Sequence, residues 1–164
     1  MIIHELVHYL DIDFRFNTSQ FDSLISKYFN IKHDTQKKLY EAYTETCANI
    51  INIFTCSLEC CDNQHSYKYA KKMFNYELKY SLFQVAKILN FYSFKNINEF
   101  VKPYDSKNKF KQSTSVFSYF FVKTALLFYL DEFIDFIKKN NDKNVDYSFK
   151  LSDSYNVPKN FLIF

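Results

Sequence analysis

Residues Lys37–Cys60 read KKLYEAYTETCANIINIFTCSLEC, a run with neither Gly nor Pro in which aliphatic and aromatic residues recur around most of the circumference of a helix. Such a segment is buried on most sides, so it predicts a long central helix, with Asp34 available to cap it and the helix spanning about 34–62. Its polar exceptions are ordered. Glu41, Glu45, Asn49 and Asn52 fall at i, i+4, i+8 and i+11 and form one stripe. Taken alone, that stripe is a solvated face. It becomes a site only if something chemically matched faces it.

The rest of the chain favours helices around this one. There is no Gly and no Trp, only two Pro, and aromatics are abundant, with 20 Phe and 14 Tyr. Tight turns that need positive φ fall to Asn and Asp, and Asn-Gly hairpins are impossible. At 164 residues the chain is the size of one domain with a sizeable core. We therefore expect a single helical domain over 1–164, mainly α. A first helix covers about Ile2 to Leu10, with its site-bearing stretch running to about residue 13. A short second helix runs through FDSLISKYF after cap-type residues Asn17, Thr18 and Ser19. A fourth covers about Ser66 to Phe91, and a short fifth starts at Asn96, paired with Glu99 and ended by Pro103. After a polar loop at 105–112, Ser113 or Ser115 caps a last long helix that ends in KKNNDKN, as the helix dipole favours. The tail DYSFKLSDSYNVPKNFLIF alternates briefly and is read as a strand or an extended wrap.

Charge and cysteine usage narrow the function classes. The net charge of +3 comes from dispersed Lys with a single Arg, which supplies no basic block for nucleic acid. Cys47, Cys56, Cys60 and Cys61 sit close together and nothing resembles a signal peptide, so we expect free thiols and a cytoplasmic protein. Cys56, Cys60, Cys61 and His65 are read as core residues and a spare His rather than a second zinc cage, because all lie on or just after one helix. The apolar run Val116–Leu130 is interrupted by Lys123 and is shorter than the roughly 20 residues of a membrane span, so it is a buried helix.

What faces the polar stripe is found near the start, where His4-Glu5-Leu6-Val7-His8 fits H-E-x-x-H. Positions i and i+4 of a helix lie one above the other, so His4 and His8 can direct two imidazoles at one metal ion. Glu5 lies about 100° round from His4. There it can take a proton from an activated water without ligating the metal. A third ligand is needed. A metzincin would require Gly at 11 and His at 14, where this chain has Asp11 and Phe14. Asp11 shares the His4 and His8 face, at +7 and +3, as an outer carboxylate or an alternative ligand.

Together, HELVH and TETCAN resemble the gluzincin zinc metallopeptidases, in which a Glu on a second helix completes the metal site and is followed by a small residue at +3 and a hydrogen-bonding one at +4. The resemblance covers about fifty residues, from His4 to Asn52. It implies a Zn2+ ion held by His4, His8 and Glu45, water activation by Glu5, and Asn49 as an outer-shell partner of a ligating His, where the best-known gluzincins have Asp. Glu45 is preferred because Ala48 then falls at +3, and Glu41 is the competing ligand. The implied function is hydrolysis of a peptide or protein substrate. Only three residues precede His4, so the expected fold is a zincin-like helical domain lacking most of the usual N-terminal β-sheet. Such a chain is the C-terminal part of a larger zincin, a reduced helical form or a decayed relative. The alternative from another class is a non-catalytic helical interaction domain.

Overall fold

The computed structural model describes residues 2–10, 13, 19–31, 37–62, 65–102, 110–112 and 114–140. They form α1 (Ile2–Tyr9), α2 (Ser19–Tyr28), α3 (Leu39–Cys60), α4 (Ser66–Phe91) and α5 (Ile97–Phe100). A π-helical segment, Phe117–Val122, then leads into α6 (Lys123–Phe128) and α7 (Leu130–Asn140). No strand occurs among the described residues, and the fold is mainly α. None of these helices is long and apolar enough to cross a membrane.

α3 is central, packing against α1, α4, the π-helical segment and α6. It is buried around most of its circumference through small or hydroxylated residues, among them Ala42, Thr44, Thr46, Ala48 and Ser57. Thr46 Oγ1 donates to the Ala42 carbonyl at 2.7 Å and Ser57 Oγ to that of Ile53 at 2.6 Å. Bonding back to the preceding turn lets a hydroxyl sit in an apolar contact without losing a partner. α3 begins at Leu39, after Lys38 in the left-handed region at φ 42°. Asp34, expected as its cap, lies outside the described residues, as do Asp11, His33, Ser113 and the tail 146–164.

Two clusters make up most of the core. Tyr43 and Ile53 of α3 meet Ala70 and Phe74 of α4 and Leu130, Phe133 and Ile134 of α7. The second is aromatic: Phe100 lies 4.5 Å from Phe121 and 5.2 Å from Phe110 between ring centroids, and Phe117, Leu89 and Ile31 close around it. The Asn96 side chain accepts from the Glu99 amide at 3.1 Å and caps α5, as its spacing predicts.

The C-terminal helix departs from the single long helix expected. Its first turns are π-helical, and Tyr129, at φ −103° and ψ 47°, separates α6 from α7. A wider turn lets neighbouring residues serve different partners. Phe117 and Phe121 enter the aromatic cluster, Ser118 Oγ donates to the Lys37 carbonyl, and Tyr119 reaches α3. The cysteines also differ from expectation. All four are free, but only Cys47 packs on the core, while Cys56 and Cys61 are half-buried and Cys60 is exposed at the end of α3.

Candidate metal centre

α1 crosses α3 so that both histidines of HELVH face the polar stripe. His4 Nε2 and His8 Nε2 approach to 3.0 Å, and Glu41 Oε2 stands 3.5 Å from the first and 3.7 Å from the second. Among the described residues this is the one group of three or more His, Cys, Asp or Glu side chains whose ligand atoms converge. Cys56, Cys60, Cys61 and His65 form no such group, and the exposed His65 pairs instead with Asp62 at 2.6 Å.

The outer nitrogens explain how the rings are held. His4 Nδ1 lies 3.0 Å from Glu45 Oε2, and His8 Nδ1 lies 2.7 Å from Asp13 Oδ2. A carboxylate accepts, so each Nδ1 is the donor of its contact and Nε2 is the nitrogen that each ring turns toward Glu41. Two imidazole Nε2 atoms and a carboxylate oxygen therefore converge on one point. Without a cation or a proton between them, that arrangement is repulsive.

The spacing fits a small divalent ion. Tetrahedral coordination at zinc distances of about 2.0–2.1 Å separates neighbouring donors by about 3.3 Å. The three observed separations bracket that value, and the pocket is half-buried, with side-chain exposures of 13% for His4, 23% for His8 and 16% for Glu41. Comparison with family models, with characterised proteins and with solved structures gave no match.

Each residue singled out from the sequence has a definite place. Glu45 meets the outer nitrogen of His4 rather than the converging Nε2 atoms, and its Oε1 lies 3.9 Å from Lys123 Nζ. Asn49 contacts neither histidine. Its Nδ2 donates to the Glu45 carbonyl at 3.0 Å and to Oε1 at 3.3 Å, steadying the carboxylate that holds His4. Glu5 is exposed on the outer flank of α1, beside the exposed Ile2, Leu6 and Tyr9.

Three participants are not evident from the pattern. Asp13 is fully buried beside His8, five positions on and past the end of α1, where helical spacing does not reach. Tyr119 donates its hydroxyl to Glu41 Oε2 at 2.7 Å. Burial and the acceptor Glu41 push that phenol well above its ordinary range, so it remains a donor through mildly alkaline pH. Lys123, buried on α6, bonds Glu77 Oε1 at 2.8 Å while lying near Glu45. The interruption that Lys123 makes in an apolar run was the sequence signal for it.

Proposed function

We propose that this chain is a zinc-binding protein of the H-E-x-x-H type whose chemistry is hydrolysis of a peptide bond. The observation that carries the reading is the convergence of two Nε2 atoms and the Glu41 carboxylate at tetrahedral spacing, with both rings fixed through their outer nitrogens. His4, His8 and Glu41 would hold the ion. Glu45 and Asp13 would orient the histidines and raise their basicity, a role outer carboxylates commonly fill at zinc sites. This assigns the third ligand to Glu41, although the sequence pattern favours Glu45.

When bound, zinc supplies a Lewis acid that acidifies water and polarises a carbonyl. The protein's own groups divide the remaining work. Glu5 is one position from His4, is exposed, and forms no ion pair among the described residues, so its carboxylate is free to accept a proton. Beside it the outward face of α1 exposes Ile2 at 80% and Tyr9 at 85%. Tyr119 keeps its proton and steadies the Glu41 carboxylate.

Metal analysis of the purified chain tests the binding. One zinc per chain is expected, lost in His4→Ala, His8→Ala and Glu41→Gln. Glu5→Gln should keep the metal and abolish cleavage of a fluorogenic peptide mixture. Substoichiometric zinc that His4→Ala leaves unchanged would sink the proposal. Unchanged hydrolysis in Glu5→Gln would leave a structural site. In that case the exposed strip of α1 favours the second reading, a helical interaction domain with α1 as the contact surface.

A further inference from the structure

The lysines of this chain are dispersed in sequence, yet α4 gathers several of them on one side. Lys68, Lys72, Lys79 and Lys87 are all exposed, and they fall within about 100° of the helix circumference. Tyr76, Tyr80, Phe83 and Phe91 share that side, with Phe83 at 58% and Phe91 at 79% exposure, and widen it to about 140°. The face runs about 35 Å from Lys68 to Phe91. The opposite side, through Ala70, Phe74, Leu78 and Leu82, holds α4 to the core, so the outward face is preformed. No acid lies on it. The helix has a single carboxylate, Glu77, and that one is turned inward onto Lys123 at 2.8 Å. None of the four lysines forms an ion pair among the described residues.

A face with cations, aromatic rings and no anion is complementary to a negatively charged partner. Its chemistry selects the kind. Lysine is a point charge without the planar fork that grips a phosphate in one geometry, which suits a charged plane better than a discrete anion. The rings are also ill placed for nucleobases to stack on. Lys72 Nζ lies 5.8 Å from the Tyr76 ring centroid and Lys87 Nζ 5.8 Å from that of Phe83, so ammonium groups occupy ring faces that stacking would need. A lipid headgroup layer, by contrast, takes cations and amphipathic rings at one level, with lysine stems lying along the rings and ammonium groups among the lipid anions. We propose that the outward face of α4 docks in the plane of an anionic lipid surface, its four lysines meeting headgroup anions while Phe83, Phe91 and the two tyrosines enter the interface. The contact is peripheral, and the face shares no residue with the metal site.

Co-sedimentation of the full chain with phosphatidylcholine vesicles, with and without about 30% phosphatidylserine, tests this. Binding is expected to the anionic vesicles alone and should weaken as salt is raised. Each lysine near such a surface is worth roughly fivefold in partitioning, so Lys72→Gln with Lys79→Gln should weaken binding roughly 25-fold. Removing two charges from α7 instead, as Lys138→Gln with Lys139→Gln, should change it by less than about threefold, because α7 packs on the buried side of α4. Tyr80→Ser with Phe83→Ser should weaken it about tenfold. Every variant should keep wild-type helicity by circular dichroism. Equal partitioning onto neutral and anionic vesicles would overturn the proposal, as would an α4 lysine pair no more damaging than the α7 pair, or a ring variant that binds undiminished. So would a fluorescein-labelled oligothymidylate or polyglutamate that binds more tightly than the vesicles and is lost in Lys72→Gln with Lys79→Gln.

Discussion

His4 shows how much of the candidate site is decided by single atoms: Nε2 faces His8 and Glu41 while Nδ1 faces Glu45. The two carboxylates of α3 thus have separable roles, and zinc affinity measures them. Glu41→Gln is expected to abolish stoichiometric binding. Glu45→Gln and Asp13→Asn should retain it with affinity lower by about 10- to 100-fold, the usual effect of losing an outer partner. Isothermal titration that ranks Glu45→Gln as the more damaging of the two α3 changes would return the third ligand to Glu45. A second residue makes a pH-dependent prediction. Burial pushes the Cys47 thiol from its ordinary 9.0 up to about 12, against a smaller opposing hydrogen bond to Tyr43. The native thiol stays neutral where the unfolded one ionises, so its contribution is full below about pH 9 and is lost as pH rises from there towards 12. Urea unfolding between pH 9 and 11 should therefore show a slope of stability against pH shallower in Cys47→Ala than in wild type, by up to one proton. Equal slopes would contradict it.

At the scale of elements, the helices were legible because their signals are local. α4 and the Asn96–Glu99 cap follow from periodicity and capping, which need no tertiary information. The choice between Glu41 and Glu45 was not legible, since residues four apart share a helix face and only the height at which α1 crosses α3 separates them. The π-helical segment was equally hidden. Its aromatics read as a continuous helix until α3, the aromatic cluster and the Lys37 carbonyl each claim a different residue of FSYFFV. The join between α4 and α6 rests on Lys123 and Glu77, at 9% and 24% side-chain exposure. Removing only the cation leaves a largely buried carboxylate without its charge partner. We expect Lys123→Met to cost about 1.5–3 kcal/mol in chemical denaturation. The double change Lys123→Met with Glu77→Leu should recover much of that loss, since apolar replacement of both partners is often neutral. A double variant no more stable than Lys123→Met would show that the pair matters through more than its charges.

For the molecule as a whole, mainly α architecture was readable from a chain without Gly and rich in helical periodicity, and the core formed around α3 as its apolar circumference required. The attachment of α1 was readable only from the spacing of His4 and His8 against the α3 stripe and not from apolar patterning, because it depends less on apolar burial than on these polar contacts. α1 has eight residues and contributes a single buried hydrophobic side chain, Val7, while Ile2, Leu6, Tyr9 and Leu10 remain exposed. Its other ties run through His4 and His8 to carboxylates on α3 and at Asp13. A helix this short is marginal alone, and the converging donor atoms oppose its docking unless a cation or a proton lies between them. Ion binding and α1 docking are therefore one equilibrium in this reading, and zinc should act chiefly on the first ten residues. Free zinc at about 100 times its Kd would add about 2.7 kcal/mol, or about 5–10 °C in Tm for a domain of this size. Hydrogen exchange should show α1 amides strongly protected with zinc and exposed with EDTA, while those of α3 and α4 change little. His4→Ala should exchange as the EDTA form in either condition. An unfolding midpoint and an α1 exchange pattern identical with zinc and with EDTA would refute the coupling and, with it, the role of α1 as a metal-bearing helix.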